Sequence, residues 1–380
     1  MPMKIAFIRY RYDPFGGAER FTQALAQRLA AKGAEIHLYA REWSAPPSAG
    51  VMMHRVGGPS WPSLLGYASF VFLVGRAVRK TRFDLVQSNE RTLCQDVYRA
   101  GDGVHARWLD LRARRMGPLR RLSLRLNPFH AFRRCLERRL FDDPRLRAVI
   151  ANSNMVKEEI LARFGVDPAR IFVIPNGVDL DRFHPGNRET LGAELRRRSG
   201  IGGQERIVLF VGSGFERKGL EFAMRGLAKA RVPARLWVVG KGRLRPYEKL
   251  ARQLGLAERV DFWGPREDVV PFYAAADLLI LPTLYDPFPS VVIEAMASGL
   301  PIITTAQCGA AGMMTEGRQG FILDTPEEVG RMAEYLEALD QVDTRRRMGR
   351  EARKLAEDFP WERTVAELEQ LYDDLISGRI

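Results

Sequence analysis

At 380 residues the chain is too long for one ordinary domain, and at roughly 150 residues per domain it holds two or three. Its 46% hydrophobic content is that of a soluble globular protein, and its three cysteines (Cys94, Cys135, Cys308) lie far apart with no CxxC spacing, which argues against a disulfide framework or structural zinc and for a reducing cytosol. The net charge of +13 is concentrated: Arg107 to Arg147 holds 13 arginines, no lysine and four acidic residues, a local block that points to an anionic partner.

The chain opens on a strand-like run, Ile5 to Ile8, without the long apolar core of a signal peptide. A glycine turn follows (Asp13 to Gly17), then a helical pattern with Ala18, Phe21, Leu25 and Leu29 on one face, a stop at Gly33 and a second strand from Ile36 to Tyr39. The most apolar window, Leu64 to Val78, falls short of the ~20 residues of a membrane span and is interrupted by Gly66, Ser69, Gly75 and Arg76, so it predicts a buried helix. Turn and linker signals cluster at Asn176-Gly177, Pro185-Gly186 and Gly200 to Gly203, which place a domain boundary near 178–200.

The second half repeats the pattern of the first. The strand Ile207 to Val211 leads through a turn with Gly212 and Gly214 to a helix from about Gly219 to Ala230 and a strand from Leu236 to Val239. Apolar strand, glycine turn, helix and strand form the βαβ unit of a parallel sheet covered on both faces. Each half therefore reads as its own doubly wound α/β domain: residues 1–178, joined by an amphipathic C-terminal helix over 361–380 that crosses back, and residues 179–360. Ligands of such sheets bind at the carboxyl ends of the strands, and two facing sheets would enclose a cleft.

The densest chemical signal runs from Asp286 to Pro301. The strand Leu278 to Leu281 delivers the chain to a loop holding Asp286, Ser290 is a candidate N-cap, and Gly299 and Pro301 stop the helix. A helix N-terminus suits a diphosphate, and Asp286 and Glu294, spaced acid-x7-acid, can each take sugar hydroxyls. Arg217 and Lys218, in the turn between a strand and a helix, can neutralise a departing diphosphate. Gly16 and Gly17 let backbone approach a phosphate or donor sugar. Each feature also has a bland reading: a surface loop whose acid serves its own helix, two solvated cations, an ordinary βα turn. In the first half, Asp102 stands between Gly101 and Gly103, exposed as a catalytic carboxylate or simply as a turn former; His105 is a second candidate there or a structural histidine. No residue cluster suggests a metal.

The run ending Glu294-Ala295-Met296-Ala297-Ser298-Gly299-Leu300-Pro301-Ile302 resembles the retaining glycosyltransferases of family 4, which have the GT-B fold of two facing Rossmann-like domains. Phe15-Gly16-Gly17-Ala18-Glu19, Ile174-Pro175-Asn176-Gly177-Val178-Asp179 and Gly212 to Gly219 resemble further segments of that family, and Tyr12 to Gly17 and Arg217-Lys218-Gly219 look most like its lipopolysaccharide-core glucosyltransferases. The resemblance implies a nucleoside diphosphate sugar donor with a uridine base, no metal cofactor, transfer with retention, Glu294 on the ribose hydroxyls, Asp286 beside the donor sugar, base recognition along Phe262 to Arg266 with Arg266 framing the base, and Asp102 near the acceptor. The chain departs from the family in having Asp286 where Glu is usual and Pro289 where Gly is common; proline has no N–H, so one backbone contact to the donor cannot form.

The arginines of 107–147 interleave with Trp108, Leu109, Leu111, Met116, Leu119, Leu122, Leu124, Leu126, Phe129 and Phe132, a pattern suited to an anionic membrane surface or, alternatively, to a solvated basic helix face. An anionic lipid-linked saccharide acceptor at the inner leaflet of the cytoplasmic membrane fits that block, and the absence of a recognition motif argues against nucleic acid. The competing readings are a nucleotide-sugar epimerase of related fold and a non-catalytic basic membrane- or nucleic-acid-binding protein.

Overall fold

The structure, a computed structural model, describes residues 3–12, 17–43, 50–59, 61, 63–202 and 205–380, excepting the side chains of residues 12 and 17–20. It divides into two compact units, residues 1–175 with 364–380, and residues 176–363.

The first unit runs β1 (Lys4–Tyr12), α1 (Gly17–Ala31), β2 (Glu35–Trp43), β3 (Val51–Arg55), α2 (Ser63–Val78), β4 (Leu85–Ser88), β5 (Val97–Arg99), α3 (His105–Arg114), α4 (Pro118–Leu126), α5 (Pro128–Phe141), β6 (Ala148–Ala151), α6 (Asn154–Arg163) and β7 (Ile171–Val173). Its sheet has the order β3-β2-β1-β4-β5-β6-β7, with every pairing parallel. The strands are covered on both faces, which is why Ile5, Phe7 and Ile8 of β1 are all fully buried and the strand reads as a continuous apolar run. The order reverses between β1 and β4, the place where such sheets take ligands.

The second unit runs α7 (Leu191–Arg198), β8 (Arg206–Val211), α8 (Phe215–Lys218), α9 (Leu220–Lys229), β9 (Ala234–Val239), α10 (Arg245–Gln253), β10 (Val260–Gly264), α11 (Val270–Ala275), β11 (Leu278–Leu281), α12 (Ser290–Ala297), β12 (Ile302–Thr305), β13 (Gly320–Leu323), α13 (Val329–Asp340) and α14 (Val342–Ala356). Its parallel sheet, β10-β9-β8-β11-β12-β13, reverses between β8 and β11, so the same winding is used twice. The final helix, α15 (Trp361–Ile376), buries Val365, Leu368, Leu371, Tyr372 and Leu375 and returns to the first unit. There the Tyr372 hydroxyl donates to Gln87 at 2.6 Å and Lys32 pairs with Glu369 at 2.6 Å.

Leu64 to Val78 is helical, as its pattern predicts, but it is not buried all round. Tyr67, Phe70, Val74 and Val78 enter the core, whereas Leu65 and Phe72 face outward, because the helix lies as an outer layer with one stripe on the sheet. Among the described residues no helix is long and apolar enough to cross a membrane.

Candidate active site

In the second unit, β8 ends at Val211, and beyond it Gly214 starts α8 in the left-handed region. Arg217 and Lys218 do not sit in an open turn before the long helix, as their spacing suggests; they complete a four-residue helix of their own. Gly219 (φ 78°) separates that helix from α9, and a side chain there would put Cβ 1.9 Å from the carbonyl oxygen of Pro282. The bare Gly212 lets the stem of Lys218 lie across it; a Cβ at that position would be 2.9 Å from Lys218 Cε. The main chain of Arg217 is tied to the loop after β11: its carbonyl accepts from Leu284 N–H (2.8 Å) and the Thr283 hydroxyl (3.0 Å), while its guanidinium donates to the Tyr285 carbonyl (3.1 Å).

These ties bring two motifs, far apart in sequence, to one point. Asp286 Oδ2 lies 2.7 Å from Lys218 Nζ and 3.5 Å from Arg217 Nη1. Asp286 and Lys218 are nearly buried, 5% and 7% exposed, while Arg217 is open to solvent. Asp286 is held by its own backbone, donating to Gln307 O (3.0 Å) and accepting from Gly309 N–H (2.8 Å). The neighbouring Cys308 thiol is pushed up to about 11 by burial, which leaves it protonated and unreactive.

The helix after Asp286 begins one residue earlier than expected. Pro289 occupies the N-cap position and Ser290 is the first helical residue, so Ser290 makes no side-chain cap. Its hydroxyl instead accepts from Asn176 Nδ2 (3.2 Å), which also donates to the Phe288 carbonyl (3.3 Å). Asn176 thus braces the helix entrance, a role its motif did not reveal because the contact spans 114 residues. Glu294 lies within α12, just over one turn in, and accepts from the hydroxyl of the fully buried Tyr273 at 2.8 Å. Phe262 to Gly264 forms the end of β10, and the exposed Arg266 just beyond it lies over the Trp263 ring at 5.6 Å. Among the described residues no group of three or more His, Cys, Asp or Glu is placed to hold a metal ion.

In the first unit, Asp102 is exposed at the tip of a turn closed by a Gly103 N–H bond to Ala100 O (3.0 Å), with Gly103 at φ 66°. His105 turns the other way. It is buried, its Nε2 lies 3.2 Å from His130 Nδ1, and burial together with Arg133 and Arg91 drives its pKa down to about 2. The ring is therefore packed against His130 at the start of α3 and held neutral by burial. Gly17 opens α1; Gly16, with the turn from Asp13, lies outside the described residues.

Residues 193–355 match the group 1 glycosyl transferases and residues 15–182 match glycosyltransferase family 4. The lipopolysaccharide glucosyltransferase WaaG of Escherichia coli K12 is 30% identical over 364 residues, covering 93% of this chain and 94% of the relative. The chain belongs to family 4 of the glycosyltransferases. It is a transferase with the GT-B architecture of two Rossmann-like domains: a crystal structure of WaaG superposes with a TM-score of 0.85 at 28% identity over 98% of this chain and all of that one. The Anabaena protein HepE, solved with UDP-glucose, shares the fold at 20% identity and a TM-score of 0.72, covering 99% of this chain and all of HepE. For this glycosyltransferase the family match explains why two βαβ domains of the same winding recur in one chain.

Proposed function

We propose that this glycosyltransferase moves a hexose from a uridine diphosphate sugar, with retention of configuration, to an anionic lipid-linked saccharide of the lipopolysaccharide-core kind. The observation that carries the reading is the cluster of Lys218, Arg217 and Asp286 at the entrance of α12, two cations and a carboxylate beside a helix N-terminus. That is the composition needed to hold a sugar joined to a diphosphate. The likeness to WaaG supports the acceptor class, and HepE with its bound UDP-glucose supports the donor.

In this reading the bond from the anomeric carbon to the diphosphate breaks and a bond to the acceptor oxygen forms on the same face. Arg217, Lys218 and the first N–H groups of α12 stabilise the departing diphosphate, and no metal is required. Glu294, oriented by Tyr273, takes the ribose hydroxyls; Asp286 holds a sugar hydroxyl; Arg266 frames the base; Gly16 and Gly17 give close backbone approach; Asp102 orients the acceptor hydroxyl or takes its proton. Neither the epimerase nor the non-catalytic reading draws support from the family match.

Location at the inner face of the cytoplasmic membrane belongs to the same proposal. Helix α4 buries none of its residues, and Leu119, Leu122 and Leu126 are 83%, 53% and 71% exposed beside Arg120, Arg121 and Arg125. Such a face suits anionic lipid.

A thermal-shift screen across nucleotides and nucleotide sugars, repeated on Glu294→Ala, tests the function. Stabilisation by a uridine diphosphate sugar that is lost in the variant is expected. If no nucleotide sugar binds, or if the variant binds as well as the parent, the reading fails.

A further inference from the structure

The Asp102 turn is gripped from below by three buried side chains whose roles neither its sequence motif nor the family match assigns. Arg91 and Asn152 are each 2% exposed and Glu137 is 1% exposed, whereas Asp102 projects to solvent. The two glycine carbonyls that flank Asp102 are both occupied. Asn152 Nδ2 donates to Gly101 O at 3.2 Å, and Arg91 Nη2 donates to Gly103 O at 2.6 Å.

The third side chain fixes the helix that leaves the turn. Helix α3 is preceded by Val104 at its N-cap position, which offers no side-chain cap. The first N–H groups of α3 go instead to Glu137 of α5: His105 N–H to Oε1 at 2.8 Å and Ala106 N–H to Oε2 at 3.2 Å. A carboxylate at a helix N-terminus satisfies donors that have no partner within the helix and complements its dipole. Arg91 Nε closes the circuit on Glu137 Oε1 at 2.8 Å, an ion pair with both side chains 2% exposed. Two buried opposite charges are costly to keep unless each is paired and fully hydrogen-bonded, and here both also clasp the backbone on one side of Asp102. Asp102 is in turn among the charges acting on Arg91.

We infer that Arg91, Asn152 and Glu137 are positioning residues that hold the Asp102 carboxylate in a fixed attitude toward the acceptor hydroxyl. The inference rests on the proposed role of Asp102 in handling the acceptor. Substituting Arg91 or Glu137 by a neutral residue strands a buried charge and risks the fold, so the first variant is Asn152→Leu, which removes one grip and leaves the ion pair intact. Arg91→Lys, which keeps the charge and loses the forked geometry, is the second.

Transfer kinetics are measured with a lipopolysaccharide-core acceptor and UDP-glucose, alongside thermal melting. Misplacing a catalytic group slows turnover without weakening donor binding, so kcat is expected to fall ~10-fold or more in each variant, with the donor KM within about twofold of the parent and a parental melting temperature. Parental kcat in both variants overturns the inference, as does a fall in kcat that comes only with a lowered melting temperature. Asp102→Asn separates the two proposals. If it transfers at the parental rate, the role given to Asp102 fails and this inference with it. If it is slow while Asn152→Leu and Arg91→Lys are parental, the inference alone fails.

Discussion

The Lys218 ammonium lies 2.7 Å from the Asp286 carboxylate, and neither side chain is more than a tenth exposed. Lys218 is the nearer counter-ion of Asp286, with Arg217 at 3.5 Å as a second. In the proposed reaction a diphosphate arriving at Lys218 competes with Asp286, and the carboxylate takes its place when the diphosphate departs.

Asp286→Asn tests that competition. Removing the charge frees Lys218 for the diphosphate, so UDP is expected to bind at least about 3- to 10-fold more tightly, since a unit charge at ~4 Å contributes ~1 kcal/mol even in bulk water. Transfer is expected to slow, because the sugar hydroxyl exchanges a charged acceptor for a neutral, weaker one and the product leaves less readily. Calorimetric titration with UDP decides; weaker UDP binding in the variant would contradict a competing pair.

Tyr273→Phe removes a single hydroxyl and leaves the ring in place. Glu294 then loses the 2.8 Å hydrogen bond that fixes its carboxylate. A hydrogen bond to a charged group contributes about 1.5–3 kcal/mol, so the donor KM is expected to rise ~10-fold or more, with kcat much less affected. An unchanged donor KM would remove Tyr273 from the site.

Much of the fold and of the candidate site is legible in the sequence, and the limits are physical. Strand, glycine turn and helix are local patterns, so both doubly wound sheets can be read from Ile5 to Ile8 and Ile207 to Val211, and Arg217, Lys218, Asp286 and Glu294 can be singled out from short motifs. The hidden features are held by distant contacts. Tyr273 reaches Glu294 across 21 residues, Glu137 caps α3 from 32 residues away, and Asn176 braces α12 from 114. Ser290 misleads because serine is a good cap in general, whereas here Pro289 takes the cap position and Asn176 engages the serine hydroxyl. His105 is ambiguous because a motif does not show which way an imidazole turns; it faces His130 and the arginines, and Asp102 faces water.

Acid should destabilise the protein partly through His105. Its pKa is about 2 in the folded chain against an ordinary value near 6.5. Below about pH 6.5 the unfolded chain takes up a proton that the folded chain refuses, so this contribution is complete above that pH and shrinks as pH falls. The slope for one such group is about 1.4 kcal/mol per pH unit. His105→Gln is expected to lose less melting temperature between pH 7 and pH 5 than the parent. His130 and His54, also shifted down mainly by burial, remain in the variant and keep a residual slope. Parallel melting curves for the two proteins would exclude His105 as a source.

Chelation tests the metal-free route. With Arg217, Lys218 and the α12 N-terminus taking the diphosphate charge, dialysis against EDTA should leave turnover within about twofold of the untreated enzyme, whereas removing one such charge stabiliser, as in Lys218→Ala, should cost on the order of 100-fold in kcat. Loss of activity on chelation, restored by a divalent cation, would require a metal the proposed mechanism does not use.

The most exposed apolar residues of the basic block lie on one face of α4, where Leu119, Leu122 and Leu126 recur at helical spacing. Because α4 buries none of its residues, this face can be changed without touching the core. Replacing Arg120, Arg121 and Arg125 with Ser should weaken binding to vesicles containing anionic lipid about 100-fold, at ~1 kcal/mol for each arginine near the surface, and leave the melting temperature unchanged. Replacing the three leucines with Ser should lower binding to neutral and anionic vesicles alike, since apolar insertion does not depend on headgroup charge. Flotation with vesicles of both kinds separates the two contributions. Equal flotation of parent and arginine variant on anionic vesicles would leave the basic block as a solvated face.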